Sequence, residues 1–497
     1  MSLSTALNIL NSAFVSNAAQ SAVIASNISN ASTTGYAREL ANVVTTYSGG
    51  SEVASVTREA NAALLAQVNT STSQAAFQQA LSNGLTTLAN TVSDSSSATS
   101  TTGAEQNGAS PSAMLADLQS ALETYDASPS NTAAAQGVVT AAQGLTQSLN
   151  AGAEAVQSVR EQADSDMASS VNTINSLLNQ FASVNATIVS GTATGADISG
   201  AEDTRDSILT QLSQQIGVST VSNPDGSTSI YTDSGVTLFQ GSQANTLTFT
   251  PTLTYTDGAS GNAVMVDGVP ITGSSSPMAI QSGALAGFAN LRDVVAPQYG
   301  AQLDQIADGV ISSFAESDQS GGNAPTLPGL FTFPGATGVP ATANATGLAS
   351  EIEVNAAVDP SQGGDVNLLR DGGINGSTYL YNSTGDASYT GRIEDMINAL
   401  TTTQSFSGAA GLGTSDSLSD YANNSVSWLQ SQNQQATNQL DYQNSVVSQA
   451  TTALSNATGV NLDTELTNML SIENSYTTTA KLLTTANDMF TSLISAV

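Results

Sequence analysis

The sequence predicts an α+β fold that is mainly α, with long terminal helices, a coiled-coil helical rod domain and small β domains inserted into it. Three observations carry this reading. Apolar residues recur at seven-residue steps near the C-terminus, at Leu462, Met469, Tyr476, Leu483, Phe490 and Val497, a period that keeps them on one helix face. Steps of three and four persist over about sixty residues between 130 and 190, the signature of one long helix. Short alternating runs split by Asp-Gly pairs fill 217–283, which is hairpin chemistry.

Taken in order, Leu3, Leu7, Leu10 and Phe14 keep a helical rhythm that Ile24 and Ile28 rejoin, and the helix is expected to stop near Asn30. Its counterpart is the C-terminal stripe, beside which Ile472, Ala486 and Leu493 run three residues on. Two apolar helical ends suggest a pair that packs together. Isolated helices rich in threonine are marginal in water, so the ends are expected to order fully only when neighbouring subunits cover them. The same periodicity also fits an ordinary two-helix piece of a core.

Residues 39–57 read as an extended excursion. Arg58 reads as a structural ion pair at a helix start, with Glu59 or a partner. Leu64, Val68, Phe77, Leu81, Leu85, Leu88 and Val92 form the next helical row. A Ser/Thr/Ala/Gly-rich linker follows over 93–110, and Ser110-Pro111 restarts a helix as N-cap and first residue. The pattern over 130–190 reads as a rod. Beyond it, Glu202, Asp203 and Asp206 cluster near Arg205; with no histidine nearby, acids favoured by a helix N-terminus account for them better than an acid–base or cation site.

Gly217 closes that helix. Asp225-Gly226, Asp257-Gly258 and Asp267-Gly268 invite a calcium hypothesis, but they match no EF-hand loop and read as turns. Helix resumes over 283–314, where Arg292–Asp293 reads as a structural pair. Residues 319–347 are rich in Gly, Pro and Thr and read as loop that buries little; 350–390 read as irregular or β-containing. A second long helix over 418–454 carries Trp428, Leu440, Val447 and Leu454 and is expected to partner the 130–190 helix. The implied division is 1–56 and 457–497 for the terminal domain, 57–216, 284–318 and 391–456 for the rod, 217–283 for a β insert and 319–390 for a second insert.

Composition bounds the chemistry. The 497 residues exceed what one core serves, so several domains are expected. Forty acids face seven arginines and Lys481, a net charge of −32, which repels nucleic acid and anionic membranes. The absence of His and Cys removes thiol chemistry, imidazole bases and most zinc sites. No catalytic, cofactor or metal residue is therefore expected. No apolar run approaches a membrane span. The first positive residue is Arg38, so a Sec signal is not expected and any export needs another route.

The segment Ser26-Asn27-Ile28-Ser29-Asn30 running into Thr34-Gly35-Tyr36 and Arg38 resembles the N-terminal signature of bacterial flagellar axial proteins. In that signature S-N-N-I-S/A-N leads into T-x-G-Y, and one asparagine here replaces the doubled one. Arg38, two residues after the tyrosine, resembles the hook-associated branch rather than the rod and hook branches, which carry Lys or Phe there. Val56-Thr57-Arg58-Glu59-Ala60-Asn61 is similar to the family's I-x-R-x-x-D, with Asn61 in place of Asp. Ile174-Asn175 and Val184-Asn185, Asp203 to Leu209, Leu291-Arg292-Asp293 and Leu303-Asp304-Gln305-Ile306-Ala307 resemble further family segments.

The resemblance covers the termini and the first 320 or so residues; 320–390 is not diagnostic. It implies a non-catalytic structural component at the junction of hook and filament, without cofactors. The expected partners are copies of itself in a ring, hook protein on one side and the next hook-associated protein on the other. A cytoplasmic export chaperone is expected at the C-terminal helix, with type III export to the extracellular flagellum and no membrane insertion. The rivals are a hook or distal-rod protein, whose body turns to β soon after residue 60, and a secreted acidic adhesin, which predicts tandem β repeats that are not visible.

Overall fold

The computed structural model describes residues 3–93, 110–252, 254–255, 258–273, 275–341 and 345–495. Val497, Asp257 and most of the 93–110 linker lie outside them. Helix α1 (Leu3–Asn30) leads into an antiparallel hairpin of β1 (Glu39–Thr45) and β2 (Ser51–Arg58). Helix α2 (Ala62–Asn90) starts where Asn61 accepts the Leu64 amide at 3.1 Å. Helix α3 (Pro111–Asp126) starts where Ser110 accepts the Ala113 amide with proline at its first position. In both, a side-chain oxygen satisfies an amide that the first turn leaves without a partner.

Helix α4 (Thr132–Thr194) is 63 residues long, roughly 95 Å at 1.5 Å per residue. Asn131 caps its start, and Gly195 ends it in the left-handed region at φ 71°, where a side chain would be strained. Two apolar cores share this helix. Leu145, Leu149 and Val156 face the first and Met167, Ile174, Leu178 and Phe181 the second, with α5 (Ser199–Gln215) packed alongside.

The second core is closed by a four-stranded sheet of β3 (Val218–Ser222), β4 (Thr228–Thr232), β5 (Thr237–Gln240) and β6 (Gln243–Ala244). A three-stranded sheet follows, of β7 (Leu247–Thr248), β8 (Met265–Val266) and β9 (Val269–Pro270). Asp267 and Gly268, both at positive φ, make the β8–β9 turn, and Asp225 accepts the Ser227 amide and hydroxyl in the β3–β4 turn. These two Asp-Gly pairs are turn chemistry.

Helix α6 (Ala284–Asn290) runs through a five-residue π-helical stretch into α7 (Ala296–Ser313), which returns to the first core. Two short ladder strands, β10 (Phe331–Thr332) and β11 (Glu353–Val354), flank α8 (Leu348–Glu351). Then come α9 (Leu368–Asp371), α10 (Gly391–Thr401), the pair β12 (Thr403–Ser405) and β13 (Ser415–Ser417), α11 (Leu418–Thr458) and α12 (Leu462–Ser495).

Two expectations are corrected. The long partner of α11 is α2, not the 130–190 helix: Thr437 reaches Ser82 and Asn433 reaches Thr86 across an antiparallel seam. The buried row of α11 is Leu429, Ala436, Gln443 and Ala450, while Trp428 is only half-buried at the margin. The apolar face of α4 is already covered by α3, α5, α6 and α7, so nothing is left for α11. Residues 319–347 also bury more than their composition suggests: Leu330 and Phe331 are enclosed, and the Phe331 ring meets Phe314 edge-on at 5.1 Å. The apolar residues there are few but adjacent, so they enter the core without making a period.

Gly287 of α6 sits where a Cβ would lie 2.6 Å from the Phe77 carbonyl of α2. On helix propensity alone, Gly287→Ala gains about 1 kcal/mol. The backbone clash reverses the sign, and we expect a net loss of about 1–3 kcal/mol, read by urea unfolding of the full chain.

Candidate functional site

Helices α1 and α12 pack antiparallel, with Asn17 opposite Ser475 and Asn27 opposite Glu465. Midway, the Phe14 and Tyr476 rings meet edge-on at 4.9 Å. Leu3, Leu7, Leu10, Phe14 and Ile28 are half-buried and Ile24 is buried. In the single chain both ends are thus already helical and paired along one seam.

That seam does not run through the row of sevens. Glu465, Thr479 and Ala486 are buried and Ile472 half-buried, a row displaced by three residues from the one the sequence emphasises. Leu462, Met469, Tyr476 and Phe490 lie on its margin and stay exposed, Tyr476 at 48%, and Leu483 is half-buried. Leu493 belongs to α12. Leu466, Leu470, Leu482, Met489 and Ile494 are also exposed. With α1 packed mainly on the central row, and touching the margin where Phe14 meets Tyr476, apolar residues to either side of that row on α12 stay exposed. Contiguous apolar surface of this kind marks an interaction site.

The signature residues form a polar knot at the other end of the pair. Asn27 is buried; its amide nitrogen donates to the Glu39 carbonyl at 2.9 Å and to Glu465 at 3.3 Å, and its oxygen accepts from the Glu39 amide and the Tyr36 hydroxyl, each at 2.9 Å. All its hydrogen-bonding capacity is used, which lets an asparagine be buried. Asn30 donates to the Ser26 carbonyl, and Thr34 and Gly35 (φ 84°) form the exposed turn that brings Tyr36 back. The Arg38 guanidinium donates to Glu465 at 2.7 Å and meets Glu59 at 3.4 Å. Its backbone amide donates to the Thr458 carbonyl where α11 ends.

Sequence reasoning missed Glu465, whose side chain is 1% exposed. The available signal was an acid on a heptad row otherwise filled by Ile472, Thr479 and Ala486.

Arg58, at the same open end of the hairpin, pairs with three carboxylates of α5: Glu202 at 3.0 Å, Asp203 at 2.8 Å and Asp206 at 2.7 Å. Of the two partners the sequence left open for Arg58, Glu59 belongs to Arg38 and the pair is made elsewhere. The helix start accounts only for Glu202, which lies in the first turn of α5; Asp203 and Asp206 are held by Arg58. Burial disfavours the charge on each partner. Three carboxylates more than offset this for Arg58, whose pKa rises. For Asp203 and Asp206 burial outweighs the help of Arg58, with the Ala37 amide on the first and Arg205 on the second, and both pKa values are raised from the ordinary value.

No group of three or more acids among the described residues is placed to hold a metal ion, and no described helix is long and apolar enough to cross a membrane.

Glu465→Ala leaves Arg38 and Asn27 without their shared acceptor. Breaking a buried pair costs about 3–5 kcal/mol, and the partial exposure of Arg38 lowers the expectation to about 2–3. Hydrogen exchange is expected to show lost protection in α1 and α12 with α4 unchanged.

Residues 103–329 match the family model described as the flagellar hook-associated protein FlgK helical domain, and residues 453–496 match the flagellar basal body rod FlgEFG protein C-terminal model. Flagellar hook-associated protein 1 of Escherichia coli K12 is 25% identical over 255 residues, covering 49% of this chain and 44% of that protein. The protein of the same name from Salmonella typhimurium LT2 is 26% identical over 279 residues, covering 52% and 48%. The chain thus spans about half the length of the curated relatives it matches. The solved flagellar hook junction protein FlgK from Burkholderia pseudomallei aligns at 22% identity and a TM-score of 0.40, over 54% of this chain and 46% of that one. Two segments of the chain, 103–329 and 453–496, thus match models of flagellar axial proteins, and about half of the chain is similar to flagellar hook-associated protein 1.

Proposed function

We propose that this chain is a structural, non-catalytic component of the bacterial flagellum that joins hook to filament. The carrying observation is the pair of exposed apolar margins on α12, Met469, Tyr476 and Phe490 on one side and Leu482 and Met489 on the other. A helix bare on both flanks of its intramolecular seam is suited to packing between like neighbours in a closed ring. Each such side chain, once buried, returns roughly 1.5–3 kcal/mol, so several together hold a subunit that is marginal alone.

In this reading copies of the chain form the ring, with hook protein on one side and the next hook-associated protein on the other. The margins of α12 need cover before assembly, which a cytoplasmic export chaperone supplies. Export runs through the flagellar type III apparatus to the extracellular junction. The curated relatives' names, the two matched segments and the Asn27–Tyr36–Arg38 signature support the assignment.

Removal of residues 462–497 tests it. The truncated chain is expected to lose co-sedimentation with isolated hooks while α4 and α11 keep their helical circular dichroism. Undiminished hook binding would overturn the reading.

A further inference from the structure

The terminal layer and the helical body share no apolar core. Among the described residues, no member of either core lies before Phe77 or after Ala436, the partly buried residues at their margins included. The joint between layer and body is polar, and two arginines at the open end of one hairpin make it. Glu39 pairs with Arg58 in the ladder, and the Glu59 amide donates to the Arg38 carbonyl, so the two arginines occupy successive rungs at the hairpin base and leave it on opposite faces. Arg38 reaches into the terminal layer, to Glu465 of α12. Arg58 reaches the other way, to the three carboxylates of α5 on the body. The Ala37 amide adds a bond to Asp203.

We propose that Arg38 and Arg58 are positioning residues that fix the angle between the terminal helix pair and the helical body. The hairpin base is then a two-way electrostatic clamp across the hinge at the chain crossings 59–61 and 459–461, which the Ala37 and Arg38 backbone amides also bridge, to Asp203 and Thr458. A hinge of short crossings with no packed core yields when its specific contacts are removed. Arg58 must be an arginine, because the fork of a guanidinium serves three carboxylates at once and a lysine ammonium has no such geometry. The inference rests on the joint itself and not on the assembly reading.

The chain has no cysteine, so spin labels at Asn179→Cys on α4 and Asn474→Cys on α12, both exposed, report the distance between body and layer in the full chain. The labelled chain is expected to give one narrow distance. Arg38→Gln and Arg58→Gln are each expected to broaden it, and the double variant to lose the peak with helical circular dichroism unchanged. A double variant that keeps the narrow peak overturns the proposal, as does a broad distribution in the chain carrying labels alone. If the double variant loses helix, Arg58→Lys decides: broadening supports the clamp and an unchanged peak overturns it. Hook binding does not enter these outcomes, so failure of the junction assignment leaves them readable.

Discussion

Burying a guanidinium costs desolvation that only well-placed acceptors return, and this chain meets that condition at each of its seven arginines. Arg38 ties the hairpin to α12, and Arg58 ties it to α5. Arg160 reaches the carbonyls of Arg292 and Ala259 and stacks on the Tyr255 ring at 4.0 Å. Arg205 holds the Gly226 turn, and Arg292 joins Asp164 of α4 to Asp293. Arg370 reaches Pro129, and Arg392 holds the carbonyls that follow α7. In a chain with 40 acids and eight cations, positive charge is scarce, and each arginine is placed where two stretches of chain meet. The excess negative charge is left largely to the surface, where solvent and counterions screen it.

The apolar structure is arranged around α4. One helix of 63 residues carries its buried stripe past two cores, which sets the length of the body and leaves β3–β9 beside its second half. The termini are built differently. Their pairing rests on a narrow seam with polar rungs at Asn17–Ser475 and Asn27–Glu465, and most of the apolar surface of α12 is not used within the chain. The body is folded by burial inside one molecule, whereas the terminal layer leaves apolar side chains of α12 exposed.

The elements that were legible in the sequence announce themselves locally. Asn30, Ser110-Pro111 and the start of α11 at Leu418 follow from capping and period. What was not legible depends on distant partners. Glu465 meets Arg38 across 427 residues, and no pattern near either residue points to the other. The α2–α11 seam is lined by Ala436, Gln443, Ala450 and Ser82, small and polar residues that leave no hydrophobic period to match. The core of 319–347 rests on two adjacent residues, Leu330 and Phe331, in a stretch whose composition reads as loop. The row of sevens on α12 was real, but the sequence could not say that α1 would cover its neighbour and leave the row itself at the margin.

The account turns on the margins of α12 being interface in waiting. Hydrogen exchange of the purified chain, alone and then bound to isolated hooks, measures this most directly. The account predicts protection of 3–30 and 462–495 in the free chain that is clearly below that of α4, higher protection of the same residues on hooks, and no change in α4. If the terminal helices are already as protected as α4 in the free chain, and hooks change nothing, the apolar margins are not an assembly surface and the central claim fails.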